Sequence, residues 1–316
     1  MSSNPHVLAV AKLSALLLPQ LQATFKLHDR LHETDIAALA LVAPQVRAIA
    51  ASGESKVSAG LIEQLPALEI ISVMGVGYDG IDVAAAKARG VVVTHTPNVL
   101  NDDVADLALG LMLCAARQLP AADRYVRSGQ WVTSGAMPLA RKMSGARLGL
   151  VGMGRIGQAI AHRALAFGMS VAYTSRQPKD VPYRYLPSAV ALAAEVDFLV
   201  VITPGGAATR HLINAEVLAA LGAKGILVNV ARGSVVDEAA LIDALERGVI
   251  GGAGLDVFEN EPNVPERLRA LPQVVLAPHI GSATGQTRQA MADLAFANLK
   301  AHFGGQPLPS PVPECR

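Results

Sequence analysis

The stretch that most constrains this chain runs from Arg147 to Gly157, R-L-G-L-V-G-M-G-R-I-G. A short apolar run, Leu148 to Val151, feeds directly into Gly152-x-Gly154-x-x-Gly157, and Ile156 to Phe167 carries apolar residues at helical spacing. Strand, glycine turn and helix in that order is the context in which this spacing marks a dinucleotide-binding turn. In that reading Gly152 makes the tight turn, Gly154 lets the backbone approach a pyrophosphate, and Gly157 lets helix and strand pack closely. Arg155 and Ile156 then open a helix whose first N–H groups and partial positive charge suit phosphate. Glycines at this spacing also serve as plain turn formers; the strand before and the helix after favour the nucleotide.

A chain of 316 residues is long for one core and comfortable for two. Short apolar runs alternate with helical stretches on both sides of the glycine turn. Before it lie Val7 to Ala11, Phe25 to His28, Val46 to Ala50, Ile70 to Val73 and Val91 to Thr94. From it onward come Leu148 to Val151, Ser170 to Tyr173, Phe198 to Ile202, Ile226 to Val230, Gly252 to Leu255 and Val274 to Leu276. Strands alternating with helices predict parallel sheets, and six in the second series suit a doubly wound Rossmann sheet. The expected fold is therefore α/β with two domains. A Rossmann cofactor domain spans 100–284, and a smaller flavodoxin-like domain is assembled from 1–99 and 285–316. Asn101-Asp102-Asp103 is expected to precede and cap a long helix, Val104 to Arg117. The last helical stretch, about Thr284 to Phe303, is expected to cross back to the first domain.

Composition narrows the partners. Half the residues are hydrophobic and 17% are charged, which fits a well-buried globular protein. A formal net charge of +1 provides no field for nucleic acid or an anionic membrane surface. The eight histidines are scattered and show no metal-site spacing, so no metal is expected. Cys114 reads as core and Cys315 as tail, with no disulfide framework, and a reducing cytoplasm is the simplest compartment. No apolar run approaches the roughly 20 residues that span a bilayer. Pro307 to Pro313 reads as an extended tail.

Ligands of doubly wound sheets gather beyond the carboxyl ends of the strands. Those positions hold Gly75-Val76-Gly77-Tyr78-Asp79, Ser175-Arg176, Thr203-Pro204, Ala231-Arg232-Gly233, Asp256 and Pro278-His279. Arg232 offers a fork of N–H donors that matches a carboxylate. His279 has an unperturbed pKa near neutrality and suits proton transfer. Glu261, if hydrogen-bonded to the other ring nitrogen, favours the imidazolium. Singly these residues persuade little, because a lone arginine behind a strand is usually a surface ion pair. Asp79 and Asp82 read as turn and helix-cap residues.

Taken together, G-V-G-Y-D-G-I-D at Gly75, the glycine turn, V-N-V-A-R-G-S-V-V-D-E at Val228, L-D-V-F-E-N-E-P at Leu255 and A-P-H-I-G-S-A-T at Ala277 resemble the D-2-hydroxyacid dehydrogenase family over nearly the whole chain. The S-R after the second cofactor strand and the S-G-Q-W stretch look most like the glyoxylate/hydroxypyruvate reductases. The resemblance implies NADPH-dependent reduction of a small 2-keto acid to its 2-hydroxy acid. Arg232 would bind substrate, His279 would act as acid/base, and Glu261 would be its partner. Val76 and Gly77 would supply N–H groups to the substrate carboxylate. Asp256 would face the nicotinamide amide, and Thr203, Pro204, Val230, Ala231, His279 and Gly281 would complete the cofactor contacts.

An NAD enzyme of this fold normally places an acid after the second strand to hold the ribose 2′-hydroxyl. Thr174-Ser175-Arg176 stands there instead, so Ser175 and Arg176 are expected to receive a 2′-phosphate, with NADPH preferred over NADH. Trp131, the only tryptophan, reads by default as a packing residue. The resemblance implies a homodimer in which it reaches the neighbouring active site and limits substrate size. Two rivals stand beside this reading: another D-2-hydroxyacid dehydrogenase of the phosphoglycerate or D-lactate type, and a non-catalytic NAD(P)-sensing corepressor-like scaffold.

Overall fold

The computed structural model describes residues 4–315. The chain divides into two compact units, one comprising residues through Leu100 and from Thr284 onward, the other Asn101–Ala283. Each unit is built on a parallel sheet.

In the first unit the strands are β1 (His6–Ala9), β2 (Lys26–Asp29), β3 (Val46–Ser52), β4 (Ile70–Met74) and β5 (Val92–Thr94), in the order β2-β1-β3-β4-β5. Every pairing is parallel. β1 and β4 are buried along their whole length, as expected of strands covered on both faces. Leu8, Ile49, Ile71 and Val93 form one core with Leu39, Leu61 and Ile62 of the covering helices. Those helices start where short polar residues accept the first N–H groups: Asp35 from Ala38, Ser58 from Leu61, and Asp82 from Ala85. Asp82 is thus the cap that its position suggests.

The long helix Gly285–Phe303 belongs to this unit, and Ser72 of β4 donates its hydroxyl to the Ala295 carbonyl. The proline-rich end is more than an extended tail. Val312 is fully buried, its N–H donates to the Val93 carbonyl, and Pro311 bridges Thr94 in antiparallel fashion. Burying one valine stabilises the end by roughly 1.5–3 kcal/mol, which composition alone does not foresee.

The second unit carries β6 (Arg147–Val151), β7 (Ser170–Thr174), β8 (Arg184–Tyr185), β9 (Phe198–Val201), β10 (Ile226–Asn229), β11 (Gly252–Leu255) and β12 (Val274–Leu276). Their order is β12-β11-β10-β9-β6-β7-β8, all parallel. The chain reverses direction across the sheet beside β6, the doubly wound switch point at which nucleotides bind. Six of these strands match the sequence reading. β8 is the addition, a two-residue edge strand too short to show a period.

The helix Asn101–Arg117 begins at Asn101 rather than after Asp103, which leaves both aspartates in its first turn near the positive end. Asp102 and Asp106 there both pair with Arg163. Cys114 on this helix is half-buried rather than core, and both cysteines are free.

Candidate active site

The glycine turn follows from steric need at each position. Gly152 sits at φ +114°, and a Cβ there would strike the Ile202 carbonyl of the adjacent strand end. Gly157 faces the Gly152 carbonyl so closely that no side chain fits between helix and turn. Around Gly154 a Cβ would meet nothing within 4 Å. That open space lies at the start of the helix Arg155–Leu165, whose N-cap, Gly154, offers no side chain to its N–H groups. Arg155 is exposed and Ile156 partly so. An anion is what such a terminus attracts. Thr203 and Pro204 leave β9 beside this turn, and the Pro204 carbonyl accepts a hydrogen bond from Thr209 Oγ1 at 2.7 Å.

At the end of β7, Ser175 turns its hydroxyl onto the Gln177 carbonyl at 2.5 Å. The guanidinium of Arg176 is exposed and has no hydrogen-bond or ion-pair partner among the described residues. No acid stands at this strand end; Thr174, Ser175 and Arg176 occupy it.

Arg232 follows β10 on a short extended stretch. Asn229, almost fully buried, folds that stretch by donating from Nδ2 to the Arg232 carbonyl at 2.9 Å and accepting from the Ala231 N–H at 3.1 Å. Arg232 Nη1 donates to the Ala231 carbonyl at 2.8 Å. Val230 and Ala231 are buried beneath it. Next in sequence, Gly233 lies directly against the backbone of Phe258 and Glu259, where any Cβ would overlap the Phe258 carbonyl. The absence of a side chain at one residue thus brings the Arg232 turn against the loop that carries Glu261.

Glu261 uses both oxygens. Oε1 accepts from the Phe258 N–H and Oε2 from His279 Nδ1, each at 2.8 Å. Burial pushes this carboxyl up, but the His279 hydrogen bond, the Phe258 N–H and the charges of His279 and Arg232 outweigh it. The carboxyl is held below the usual glutamate range. Glu261 is therefore an anion at neutral pH, and His279 Nδ1 must carry the proton it donates. The ring's other nitrogen, Nε2, points away from the carboxylate.

His279 itself has a left-handed backbone, φ +53°, which costs a non-glycine residue about 1–3 kcal/mol unless the surroundings enforce it. Asp256, at the end of β11 and 2% exposed, does so. Its main-chain carbonyl accepts the His279 N–H at 2.9 Å. Its carboxylate accepts the N–H groups of Ile280 at 2.7 Å and Gly281 at 2.8 Å. Burial raises the Asp256 carboxyl, with those two N–H groups and the His279 charge pulling the other way. A void of about 210 Å³ opens beside the pair, walled by Phe258, Glu261, Pro262, Leu276, Pro278 and His279.

In the first unit, Gly75-Val76-Gly77 leaves the end of β4. Among the described residues, neither the Val76 nor the Gly77 N–H has an acceptor. Trp131 belongs to no group described above. It stands 63% exposed on the short helix Gln130–Ser134.

Sequence reasoning missed Asn229, although it stands inside the quoted V-N-V-A-R-G stretch as the polar residue ending the otherwise apolar β10. It also missed the Phe258 N–H, because a backbone donor leaves no trace in side-chain identity.

Gly152, Arg232, Asp256 and His279 all follow the carboxyl ends of parallel strands in one sheet, so they share one edge. A nucleotide turn, a guanidinium and a histidine–carboxylate pair on that edge define a dinucleotide-dependent oxidoreductase. Residues 109–281 match the family described as D-isomer specific 2-hydroxyacid dehydrogenase, NAD binding domain, and the chain belongs to that family. It is 48% identical over 310 residues to a hydroxyphenylpyruvate reductase of Plectranthus scutellarioides, covering 97% of this chain and 98% of the relative. Identity is 52% over 268 residues to a glyoxylate/hydroxypyruvate reductase A of Arabidopsis thaliana, 84% of this chain and 85% of that one. Among solved structures, the NADPH-dependent glyoxylate/hydroxypyruvate reductase of Sinorhizobium meliloti, in complex with NADP and malonate, superposes with a TM-score of 0.94. It is 48% identical, with 99% of this chain and 98% of that one covered.

Proposed function

We propose that the chain reduces glyoxylate and hydroxypyruvate to their 2-hydroxy acids, with NADPH preferred over NADH. The observation that carries this reading is the His279–Glu261 pair at 2.8 Å, in which the carboxylate fixes the Nδ1–H and favours the protonated ring. Reduced nicotinamide held by these residues would supply the hydride for the keto carbon. His279 gives its Nε2 proton to the oxygen that becomes the hydroxyl, and Glu261 stabilises the charge the ring holds beforehand. Arg232 draws electron density from the ketone oxygen and pairs with the acid. Val76 and Gly77 hold the substrate carboxylate through their N–H groups. Gly152, Gly154, Gly157 and the helix start at Arg155 receive the pyrophosphate, and Asp256 holds the turn that carries His279 and Gly281.

Three features support the cofactor preference: an exposed Arg176 with no ion-pair or hydrogen-bond partner among the described residues, the neighbouring Lys179, and the lack of any acid at the end of β7 to repel a 2′-phosphate. We also read the unit through Leu100 as the substrate-binding domain and Asn101–Ala283 as the cofactor domain.

The segment from Leu119 to Leu139 leaves Leu119, Val126, Trp131, Val132 and Leu139 exposed. Such an apolar surface favours pairing of two copies, with Trp131 limiting substrate size. No single described helix is long and apolar enough to cross a membrane; a cytoplasmic location fits the two free cysteines.

One panel tests the reading: oxidation of NADPH and of NADH with glyoxylate, hydroxypyruvate, hydroxyphenylpyruvate and pyruvate. Turnover of the first two with NADPH is expected. Exclusive use of hydroxyphenylpyruvate would replace the substrate assignment, and no turnover of any keto acid would refute it. Arg176→Ala should raise KM for NADPH about tenfold and leave that for NADH nearly unchanged.

A further inference from the structure

The two N–H groups assigned to the substrate carboxylate belong to two consecutive peptide units, and the opposite end of each unit is locked from the neighbouring strand. In a planar trans peptide, the C=O of one residue and the N–H of the next point in opposite directions. The Val76 N–H therefore shares its peptide with the Gly75 carbonyl, and the Gly77 N–H shares its peptide with the Val76 carbonyl. The Gly75 carbonyl accepts from the Thr96 N–H at 2.8 Å, and the Val76 carbonyl accepts from His95 Nδ1 at 3.0 Å. Thr96 is a main-chain donor that any residue except proline supplies. His95 is a side-chain donor, and only particular residues can replace it.

His95 is well placed to hold that peptide still. It follows β5, which pairs with β4, so its ring reaches the loop leaving the next strand. It is 7% exposed, and the Tyr78 ring stands against it at 5.2 Å and 86°. Its own backbone is clamped by the C-terminal segment. The His95 N–H donates to the Ser310 carbonyl at 3.1 Å, and Ser310 Oγ donates to the His95 carbonyl at 2.7 Å. Ser310 is in turn fixed by Asn298, which has no exposed surface, donates to Ser310 Oγ at 2.8 Å and accepts the Ser310 N–H at 3.1 Å.

We propose that His95 is a positioning residue for substrate binding. By donating to the Val76 carbonyl it turns the Gly77 N–H outward and polarises it toward an anionic carboxylate, and the Asn298–Ser310 clamp backs it. The inference rests on the reading of the Val76–Gly77 loop given above.

Asparagine carries an N–H donor at nearly the place of histidine Nδ1, whereas leucine has similar bulk and no donor. His95→Leu should raise KM for glyoxylate, and the dissociation constant of the unreactive dicarboxylate oxalate, by about tenfold, the loss of one hydrogen bond to a charged group's binder. Saturating kcat and KM for NADPH should stay within about twofold. His95→Asn should restore both glyoxylate and oxalate values. An unchanged KM in His95→Leu, or equal impairment in His95→Asn, overturns the proposal. So does a parallel fall in kcat and NADPH binding, which marks a merely structural role. If His95→Leu does not fold, Ser310→Ala, which removes the hydroxyl that donates to the His95 carbonyl and accepts from Asn298, must raise the same two constants; unchanged values overturn the proposal. A wild-type enzyme inactive toward every keto acid would remove the functional reading itself, whereas an active wild type with an indifferent His95→Leu would remove only the role of His95.

Discussion

Replacing Glu261 by glutamine isolates the electrostatic part of the acid/base pair. The side chain keeps its shape but offers one acceptor where the carboxylate has two. Either its oxygen stays with the Phe258 N–H and its amide faces Nδ1, or the reverse; both cannot be served. In the first case the ring must accept at Nδ1 and becomes neutral, with its proton on Nε2. In the second, two N–H donors oppose one another at Phe258.

Both side chains are about a quarter exposed, so the 2.8 Å contact is only partly screened. A hydrogen bond to a charged group contributes about 1.5–3 kcal/mol, and each pH unit corresponds to about 1.4 kcal/mol. The sign follows from the coupling. Glu261 is held below its usual range in part by His279, so the same interaction favours the protonated ring. Losing it moves the alkaline fall of the reduction rate to lower pH, and lowers kcat/KM at neutral pH by about 10- to 100-fold. The assay is kcat/KM for glyoxylate with NADPH, measured across the range in which histidine titrates. If the rate drops uniformly and the pH profile of Glu261→Gln overlays that of the wild type, the carboxylate acts through shape alone and the charge argument is wrong.

Two further perturbations follow from the same sheet edge. Arg232→Lys keeps a positive charge but loses the planar fork, and kcat/KM for glyoxylate should fall by about 10²–10³; a loss of under about threefold would mean that a point charge suffices. Asp256→Asn places an amide N–H against one of the two backbone donors at Ile280 and Gly281, so the denaturant midpoint should drop by an amount equivalent to about 1–3 kcal/mol. An unshifted midpoint would show that the turn carrying His279 holds without this carboxylate.

The parts of the molecule that were legible in its sequence are those that repeat or alternate. All five strands of the first sheet and six of the second were expected, most of them from apolar runs, because strands buried on both faces have little choice of residue; the edge strand β2, Lys26–Asp29, is partly exposed. β8, with two residues, has no room for a period. The start of the helix Asn101–Arg117 was misplaced by three residues because Asn and Asp serve equally as a cap and as first-turn acids. The C-terminal segment was read from its prolines, yet the identities that matter there are Ser310 and Val312, whose partners His95 and Val93 lie more than 200 residues earlier in sequence.

At the site, the residues with unusual chemistry stood out and their supports did not. Asn229, the Phe258 N–H and the bare backbone of Gly233 act by holding other groups, and spacing carries little sign of that. His95 follows a strand directly, but the carbonyl it holds belongs to the loop leaving the neighbouring strand, a pairing that residue spacing does not encode.

Asp256 binds the histidine turn to one strand end, Gly233 lets the arginine turn rest on the next loop, and Glu261 ties the two together. Each of these ties begins and ends within Asn101–Ala283. The machinery for moving a proton is thus inherited as one block with the nucleotide turn. If the unit through Leu100 binds the substrate, as proposed, mutations among the first hundred residues retune which acid is accepted while this block stays intact, and that division of labour gives such a chain freedom to acquire new substrates without rebuilding its chemistry.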